Sequence, residues 1–225
     1  MARSFGFEPY EAGRLVYAPG SRPYIFYLKL RPGVLAEAGA LSRVLEVFEE
    51  FGVPVLQFKV SAPLPGAGAR AIVIADLSGR EDAAGRIVEM LEKLPGVVSA
   101  GCDEPLIDGL ALDLRSFPLR LAGGRAVILR VDIYGGLIKG GWERFGSGYG
   151  QLLYIVGFEI GRKMYRAHSR IAGELAERFH EGVFQVAGLG VVRIVELDDS
   201  GFRAVVRVYD SFECELFRGV GEIRG

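Results

Sequence analysis

Alternating strand-like and helix-like periods between residues 24 and 105 constrain the fold of this 225-residue chain more than any other feature. Apolar residues run together or alternate where a strand is expected, and recur every three or four positions where a helix is expected. The predicted strands are residues 24–30, 53–60, 71–77 and 97–102, and the predicted helices are residues 34–51 and 81–94. The chain therefore starts as strand, helix, strand, strand, helix, strand, which is typical of an α+β class.

This order is the ferredoxin-like βαββαβ plan, in which two helices cover one face of a four-stranded antiparallel sheet. Its strands are rich in apolar residues on both faces, as in Ile72-Val73-Ile74. Because no other element of residues 24–102 covers the second face, we expect it to be wet or to pair with a partner, and we predict a homodimer.

The first strand meets the first helix at Arg31-Pro32-Gly33-Val34-Leu35. Proline suits the first turn of a helix, where its missing N–H would be unpaired anyway, and glycine allows close approach of another group. Unpaired N–H groups at a helix N-terminus attract anions, so a carboxylate is predicted at the N–H groups of residues 34–36. The alternative is a tight turn without a ligand.

With Leu-Pro-Gly-Val before the last strand, this junction resembles that of an ACT domain over residues 23–105. The resemblance implies a regulatory module that pairs through its sheets and often binds amino acids at the junction, between subunits. It implies ligand contacts from Arg31, Pro32, Gly33, Val34 and Leu35. In the commonest ACT pattern Asp or Asn stands where this chain has Leu30, so the polar group for the amine of a ligand is missing.

Residues 1–22 are interpreted as an N-terminal segment, residues 106–120 as a linker and residues 121–225 as a second domain. Its predicted helices are residues 125–145, 149–165 and 171–187; a hairpin of residues 191–197 and 202–209 follows, and residues 212–216 begin another strand. Tyr-Ile-Val-Gly-Phe-Glu-Ile-Gly at 154–161, Gly-Leu-Gly at 188–190 before Val-Val-Arg-Ile-Val, and Val-Tyr-Asp-Ser-Phe-Glu at 208–213 carry a resemblance to domains of the 4-vinyl reductase type.

That resemblance implies an α/β fold shared with subunits of the vesicle-trafficking tethering complex, and binding of small hydrophobic molecules. We predict an apolar cavity between helix 149–165, its neighbours and the hairpin. Its lining is predicted from Trp142, Tyr154, Gly157, Phe158, Gly161 and Phe184. The alternative for Gly157 and Gly161, one helical turn apart, is close helix packing.

Sensors of this type hold zinc around the Ser-Phe-Glu-like segment and a downstream cysteine-containing stretch. Glu213 and Cys214 are the weak candidates for zinc ligands here, and the sequence ends at Gly225, so the domain is expected to be trimmed or shortened. His168 and His180 have no metal-site spacing and are predicted to be separate solvated helix positions.

Composition and charge exclude several classes of function and indicate where the protein is found. A net charge of −1 does not favour nucleic-acid binding, and the sequence has no apolar run of membrane-spanning length and no signal-peptide pattern. A cytoplasmic location is expected, with Cys102 and Cys214 as separate thiols. The chain has no Asn and only three Gln, which favours a heat-adapted source, although high genomic GC content produces part of the same bias.

The combined prediction is a regulatory protein that senses a small molecule, either an amino acid or a hydrophobic or aromatic ligand, and signals through a dimer to a protein partner. One alternative is a vinyl-group reductase or its accessory subunit, although the sequence has no credible nicotinamide or flavin motif and no nucleophile–base set. The other alternative is a non-catalytic interaction subunit.

Overall fold

The computed structural model describes residues 9–61, 68–121, 123–198, 200 and 203–217. The chain divides into two compact units, Met1–Leu119 and Arg120–Gly225. Helices and antiparallel sheets occur in both units, so the predicted α+β class is confirmed. The sequence also predicts a loop over residues 63–68 and a turn over residues 198–201, and of these only Gly68, Asp198 and Ser200 lie within the described residues.

The first unit is built on a four-stranded antiparallel sheet. Its strands are β2 (Pro23–Leu30), β3 (Val55–Val60), β4 (Arg70–Asp76) and β5 (Val97–Asp103), in the spatial order β3-β4-β2-β5. Helix α1 (Ala40–Glu50) follows β2, and helix α2 (Ala83–Lys93) follows β4. The central strands β2 and β4 are the most buried of the four, because both of their faces are covered.

The two helices pack on one face of this sheet around a dry core. Helix α1 buries Ala40, Val44, Val47 and Phe48, a spacing that places them on one helical face. Phe48 meets Phe26 of β2 edge to face, with ring centroids 5.0 Å apart, and both rings are fully buried. Edge-to-face aromatic pairs add about 0.5–1.5 kcal/mol to the burial of their area. This pair anchors α1 to the centre of the sheet.

The second face of the sheet is not left uncovered, contrary to the sequence prediction. Strand β1 (Leu15–Tyr17) pairs antiparallel with β6 (Leu110–Leu112), and Ala111 of this ribbon packs against Ile25 and Ile74. All three of these residues are at most 2% exposed. The segments predicted as an N-terminal extension and a linker thus supply part of the first unit. Strands of three residues are too short for a period to reveal them.

An ion pair with a buried carboxylate joins the two strands at one end of this ribbon. The guanidinium Nε of Arg14 lies 3.3 Å from Oδ2 of Asp113, and the Asp113 side chain is 4% exposed. Arg14 also donates to the backbone carbonyls of Asp113 and Ser116, while the other Asp113 oxygen accepts from the Ser116 N–H. Because the buried carboxylate has both a cation and a backbone donor, its desolvation is offset.

The first helix begins later than predicted. Val34–Ala36 form a separate turn of 3₁₀ helix, and α1 begins at Ala40. Gly39 has φ of +80°, a left-handed conformation that a regular α-helix cannot contain, so it separates the two elements. The apolar period runs through both and does not reveal the break.

The second unit is mainly helical. A short hairpin of β7 (Arg120–Leu121) and β8 (Gly124–Arg125) precedes helices α3 (Val131–Phe145), α4 (Ser147–Ala172) and α5 (Ala176–Val186). Strands β9 (Val191–Asp198) and β10 (Arg203–Tyr209) then form an antiparallel hairpin with a bulge between Val205 and Val206. Helix α5 packs against β9, and the short helix α6 (Phe212–Leu216) contacts α3.

Two sequence predictions for this unit are wrong. The helix predicted from residue 125 begins at Val131, which leaves Val127 and Ile128 exposed before it. The strand predicted at 212–216 is helix α6, whose Phe212 packs edge to face on Tyr134 with centroids 5.0 Å apart. A segment of five residues is too short for its apolar pattern to distinguish the two conformations. Within the described part of the chain, no helix has both the length and the apolar character needed to cross a membrane.

Candidate ligand sites

The junction after β2 is an exposed corner held by backbone contacts. The Arg31 N–H donates to the Gly96 carbonyl at 2.8 Å, and Gly96, with φ of +94°, lies so close to Val34 that a Cβ there would come within 2.6 Å of Val34 Cγ2. Gly33 has φ of +83° and open space where a Cβ would point. The loop before β5 therefore packs against the junction from one side and leaves the other side accessible.

Four of the five predicted junction residues are at the surface, and one is not. Arg31, Pro32, Gly33 and Leu35 are exposed, whereas Val34 is 3% exposed and belongs to the core. The Arg31 guanidinium donates to the carboxylate of Glu37, a partner that the sequence analysis did not single out. Arg31 and Glu37 are six positions apart in the sequence, and the 3₁₀ turn between them brings the two side chains together.

The predicted anion site at the N–H groups of residues 34–36 has a competitor within the chain. The Val34 N–H faces the Arg31 carbonyl at 3.4 Å, and the Ala36 N–H donates to the Gly33 carbonyl at 3.0 Å. An anion there would have to displace these bonds. The charged side chains Arg31 and Glu37 are better placed to hold a ligand than the backbone.

A cleft lies on the outer face of the first sheet, the face not covered by α1 and α2, beside the β1–β6 ribbon. It encloses about 210 Å³ and is lined by side chains of β2, β4 and β5 together with Arg115 and Ser116. Arg115 donates to both carboxylate oxygens of Asp103 and stacks over the Tyr27 ring, with its guanidinium carbon 5.1 Å from the ring centroid. No local pattern in the sequence indicates this cleft, because its residues come together only through strand register and the return of residues 113–116.

The predicted cavity residues of the second unit do not surround one space. Tyr154 and Phe158 are 73% and 63% exposed on α4, and nothing in the described structure lies within 4 Å of a Cβ placed on Gly157 or Gly161. Trp142 packs instead beside Gly150, with its ring 3.1 Å from that Cβ position. Phe184, half-buried on α5, packs near the His180 ring, with centroids 6.1 Å apart. Neither a shared cavity nor close helix packing explains the two glycines.

The two histidines are in contact, contrary to the prediction of separate solvated positions. Their Nδ1 atoms lie 3.1 Å apart, and His168 is 4% exposed. The reversal of the chain between α4 and α5 brings them together, and Phe179 packs edge to face on His168. Burial, and then the neighbouring His168, lowers the pKa of His180 below its usual 6.5, while Glu181 opposes the shift.

The weak zinc candidates Glu213 and Cys214 lie exposed on α6. Burial, and then the nearby Glu213 carboxylate, raises the pKa of Tyr134. Within the described residues, no group of three or more His, Cys, Asp or Glu side chains is placed to hold a metal ion.

No protein-family model matches the sequence, and none of the curated proteins compared with it matches. Solved structures that resemble part of the chain include the C-terminal domain of the MgtC protein from Mycobacterium tuberculosis, with 15% identity, a TM-score of 0.33 and coverage of 38% of this chain and 88% of that one. An uncharacterized protein from Thermotoga maritima has 17% identity and a TM-score of 0.29, covering 37% of this chain and 96% of its own.

The regulatory subunit of aspartate kinase from Thermus thermophilus, in a ligand-free form, has 18% identity and a TM-score of 0.29. The match covers 38% of this chain and 53% of that subunit. Likenesses at this level leave the function to be argued from the geometry of the chain itself.

Proposed function

We propose that the chain is a small-molecule-sensing regulatory protein, with an ACT-type first unit and a vinyl-reductase-type second unit. The order of elements in the first unit and the strand order β3-β4-β2-β5 agree with a ferredoxin-like plan. The observation that carries the proposal is the exposed Arg31–Glu37 pair at the junction between β2 and the 3₁₀ turn.

An amino acid is the ligand class that this pair fits best. The Arg31 guanidinium binds a carboxylate through two parallel N–H donors, and the Glu37 carboxylate accepts from an ammonium group. Glu37 thus offers the acidic group that Leu30 does not supply. The Arg31 and Glu37 side chains are 46% and 38% exposed, so a ligand can replace the bond between them with one bond to each of its own charges.

Calorimetric titration of the full chain with the standard amino acids tests this assignment. We expect at least one to bind, and Arg31→Gln and Glu37→Gln each to weaken its binding tenfold or more, since one charge-assisted hydrogen bond to the ligand is lost. Asp82→Asn is the matched control, because Asp82 and Arg86 form another exposed ion pair in the same unit. Absence of binding by every amino acid, or equal losses in the control, would contradict the proposed site.

The proposal includes a homodimer, which forms through the second unit and not through the sheet of the first unit. Helix α4 is about 39 Å long and exposes a row of apolar side chains, among them Tyr154, Phe158 and Tyr165. A face of this size is rarely left in water. Its cations Arg162, Lys163, Arg166 and Arg170 all lie in the second half of the helix, and residues 147–158 carry no charge.

This charge distribution favours antiparallel pairing of α4 with α4 of a second copy. The cationic half then lies against the uncharged half, whereas parallel pairing would oppose like charges. Light scattering at micromolar concentration is expected to return twice the 24.5 kDa of one chain.

A non-catalytic interaction subunit is the second candidate function, and the same apolar face of α4 favours it. It gains support if a different protein binds to this face and no small molecule binds to the chain.

A further inference from the structure

The cleft on the outer face of the first sheet carries an unbalanced positive charge. Lys29 of β2 lies directly opposite Arg70 of β4 in the antiparallel register, and both side chains line the cleft. Like charges directly opposite each other destabilise a sheet. Among the described residues neither has an acidic partner within ion-pair distance, in contrast to Arg115, whose charge is balanced by Asp103.

Three residues with hydroxyl groups line the same cleft as these two cations. Ser99 of β5 faces Lys29 from the other side of β2, and Ser116 closes the cleft from the segment after β6. The Tyr27 hydroxyl is buried without a hydrogen bond of good geometry, although the Leu114 N–H lies near enough to lower its pKa. Burial and then the Asp113 charge outweigh that effect and raise the pKa of Tyr27, so the hydroxyl keeps its proton and remains a donor.

We propose that this cleft binds a small oxyanion, a phosphate or carboxylate group, with Lys29 and Arg70 as its charge partners and the Ser99, Ser116 and Tyr27 hydroxyls as donors. An anion between the two cations removes their repulsion and accepts from hydroxyl groups for which the described residues provide no acceptor. The volume of about 210 Å³ fits a small metabolite. This site is separate from the junction, lies on the opposite face of the sheet from α1, and does not depend on the function proposed above.

The test is a thermal-shift titration of the full chain with inorganic phosphate and, separately, with succinate, at ionic strength held constant with chloride. We expect a saturable rise in Tm with at least one anion, because binding to the folded state alone stabilises it. Lys29→Gln and Arg70→Gln should each shift the midpoint of that titration to at least tenfold higher concentration. Lys93→Gln, which removes one cation from the end of α2, is the control and should leave it unchanged.

Lys29→Gln and Arg70→Gln also have an expected effect on the Tm in the absence of ligand. Both positions are exposed, so the chain should fold, and loss of the repulsion should leave the ligand-free Tm equal to or above that of the wild type. A phosphate response points to a phosphorylated ligand and a succinate response to a carboxylate. The assignment is overturned if neither anion gives a saturable shift, if the shift survives in Lys29→Gln and Arg70→Gln, or if Lys93→Gln abolishes it equally.

Discussion

The two units are similar in length but differ in how they bury apolar residues. The first unit closes a core around Phe26, Phe48 and Ile87 from its own elements. Within the described part of the second unit, the buried apolar side chains are Ile138, Tyr149, Ala176 and Val192, while many larger ones are exposed. Since apolar burial is the main favourable term in folding, we expect the first unit to be stable alone and the second to require another surface, as the proposed dimer would provide.

The largest expected effect is a truncation in the core of the first unit. Phe48→Ala removes a fully buried ring and its edge-to-face partner, and should lower the free energy of unfolding by about 3–5 kcal/mol at any protein concentration. Phe158→Ala in the second unit is the comparison, and its effect should appear only at concentrations where dimers form. Scanning calorimetry at two protein concentrations measures both. A concentration-dependent loss in Phe48→Ala would break the distinction between the units.

A charge on the exposed face of α4 sharpens the same comparison. Phe158→Glu places a carboxylate where an apolar contact is expected, and should weaken dimerisation a hundredfold or more, or about 2.7 kcal/mol. Sedimentation velocity should then give a single chain of 24.5 kDa. Tyr17→Glu, at a 71% exposed position of the first unit, is the control and should remain dimeric. A dimeric Phe158→Glu would place the interface elsewhere.

The β1–β6 ribbon should contribute a smaller, concentration-independent part of the stability of the first unit. Asp113→Asn weakens the buried pairing with Arg14 but keeps the acceptor for the Ser116 N–H, so we expect a loss of about 1–3 kcal/mol. Chemical denaturation monitored by circular dichroism measures it. A change within error would mean that the ribbon only covers the sheet and does not stabilise it.

The smallest effect concerns the histidine pair of the second unit. Because the pKa of His180 is lowered in the folded state, no stability is lost above its usual 6.5. As the pH falls below 6.5, the unfolded chain takes up a proton that the folded chain does not, and the free energy of unfolding decreases. The slope should stay well under about 1.4 kcal/mol per pH unit, since the ring is only partly buried. His180→Gln should flatten this slope; an unchanged slope would assign it to other groups.

The first unit, with its closed core, is also the part of the fold that the sequence predicts better. Elements of six to eleven residues with one buried face, such as α2 or β4, impose a readable period, and the structure has all six predicted elements of the first unit. The start of α1 was misplaced because the left-handed Gly39 interrupts a helix without interrupting its apolar period. The β1–β6 ribbon was missed because three residues carry no period.

The candidate sites were less predictable, because they depend on contacts that no local pattern encodes. The opposition of Lys29 and Arg70 follows from strand register, and the contact of His168 with His180 follows from the turn between two helices. In the second unit, the sequence predicts that Tyr154 and Phe158 line a cavity, whereas both side chains are exposed on α4. The cytoplasmic location and heat-adapted source stay predictions.

Amide hydrogen exchange of the wild-type chain at two protein concentrations tests the contrast between the units most directly. Protection in β2 and β4 should be the same at both concentrations, because their core is complete within one chain. Protection in α4 should increase at the higher concentration, as a second copy covers its apolar face. The lower concentration is chosen so that light scattering detects single chains. Equal protection of α4 at both concentrations would then contradict the account.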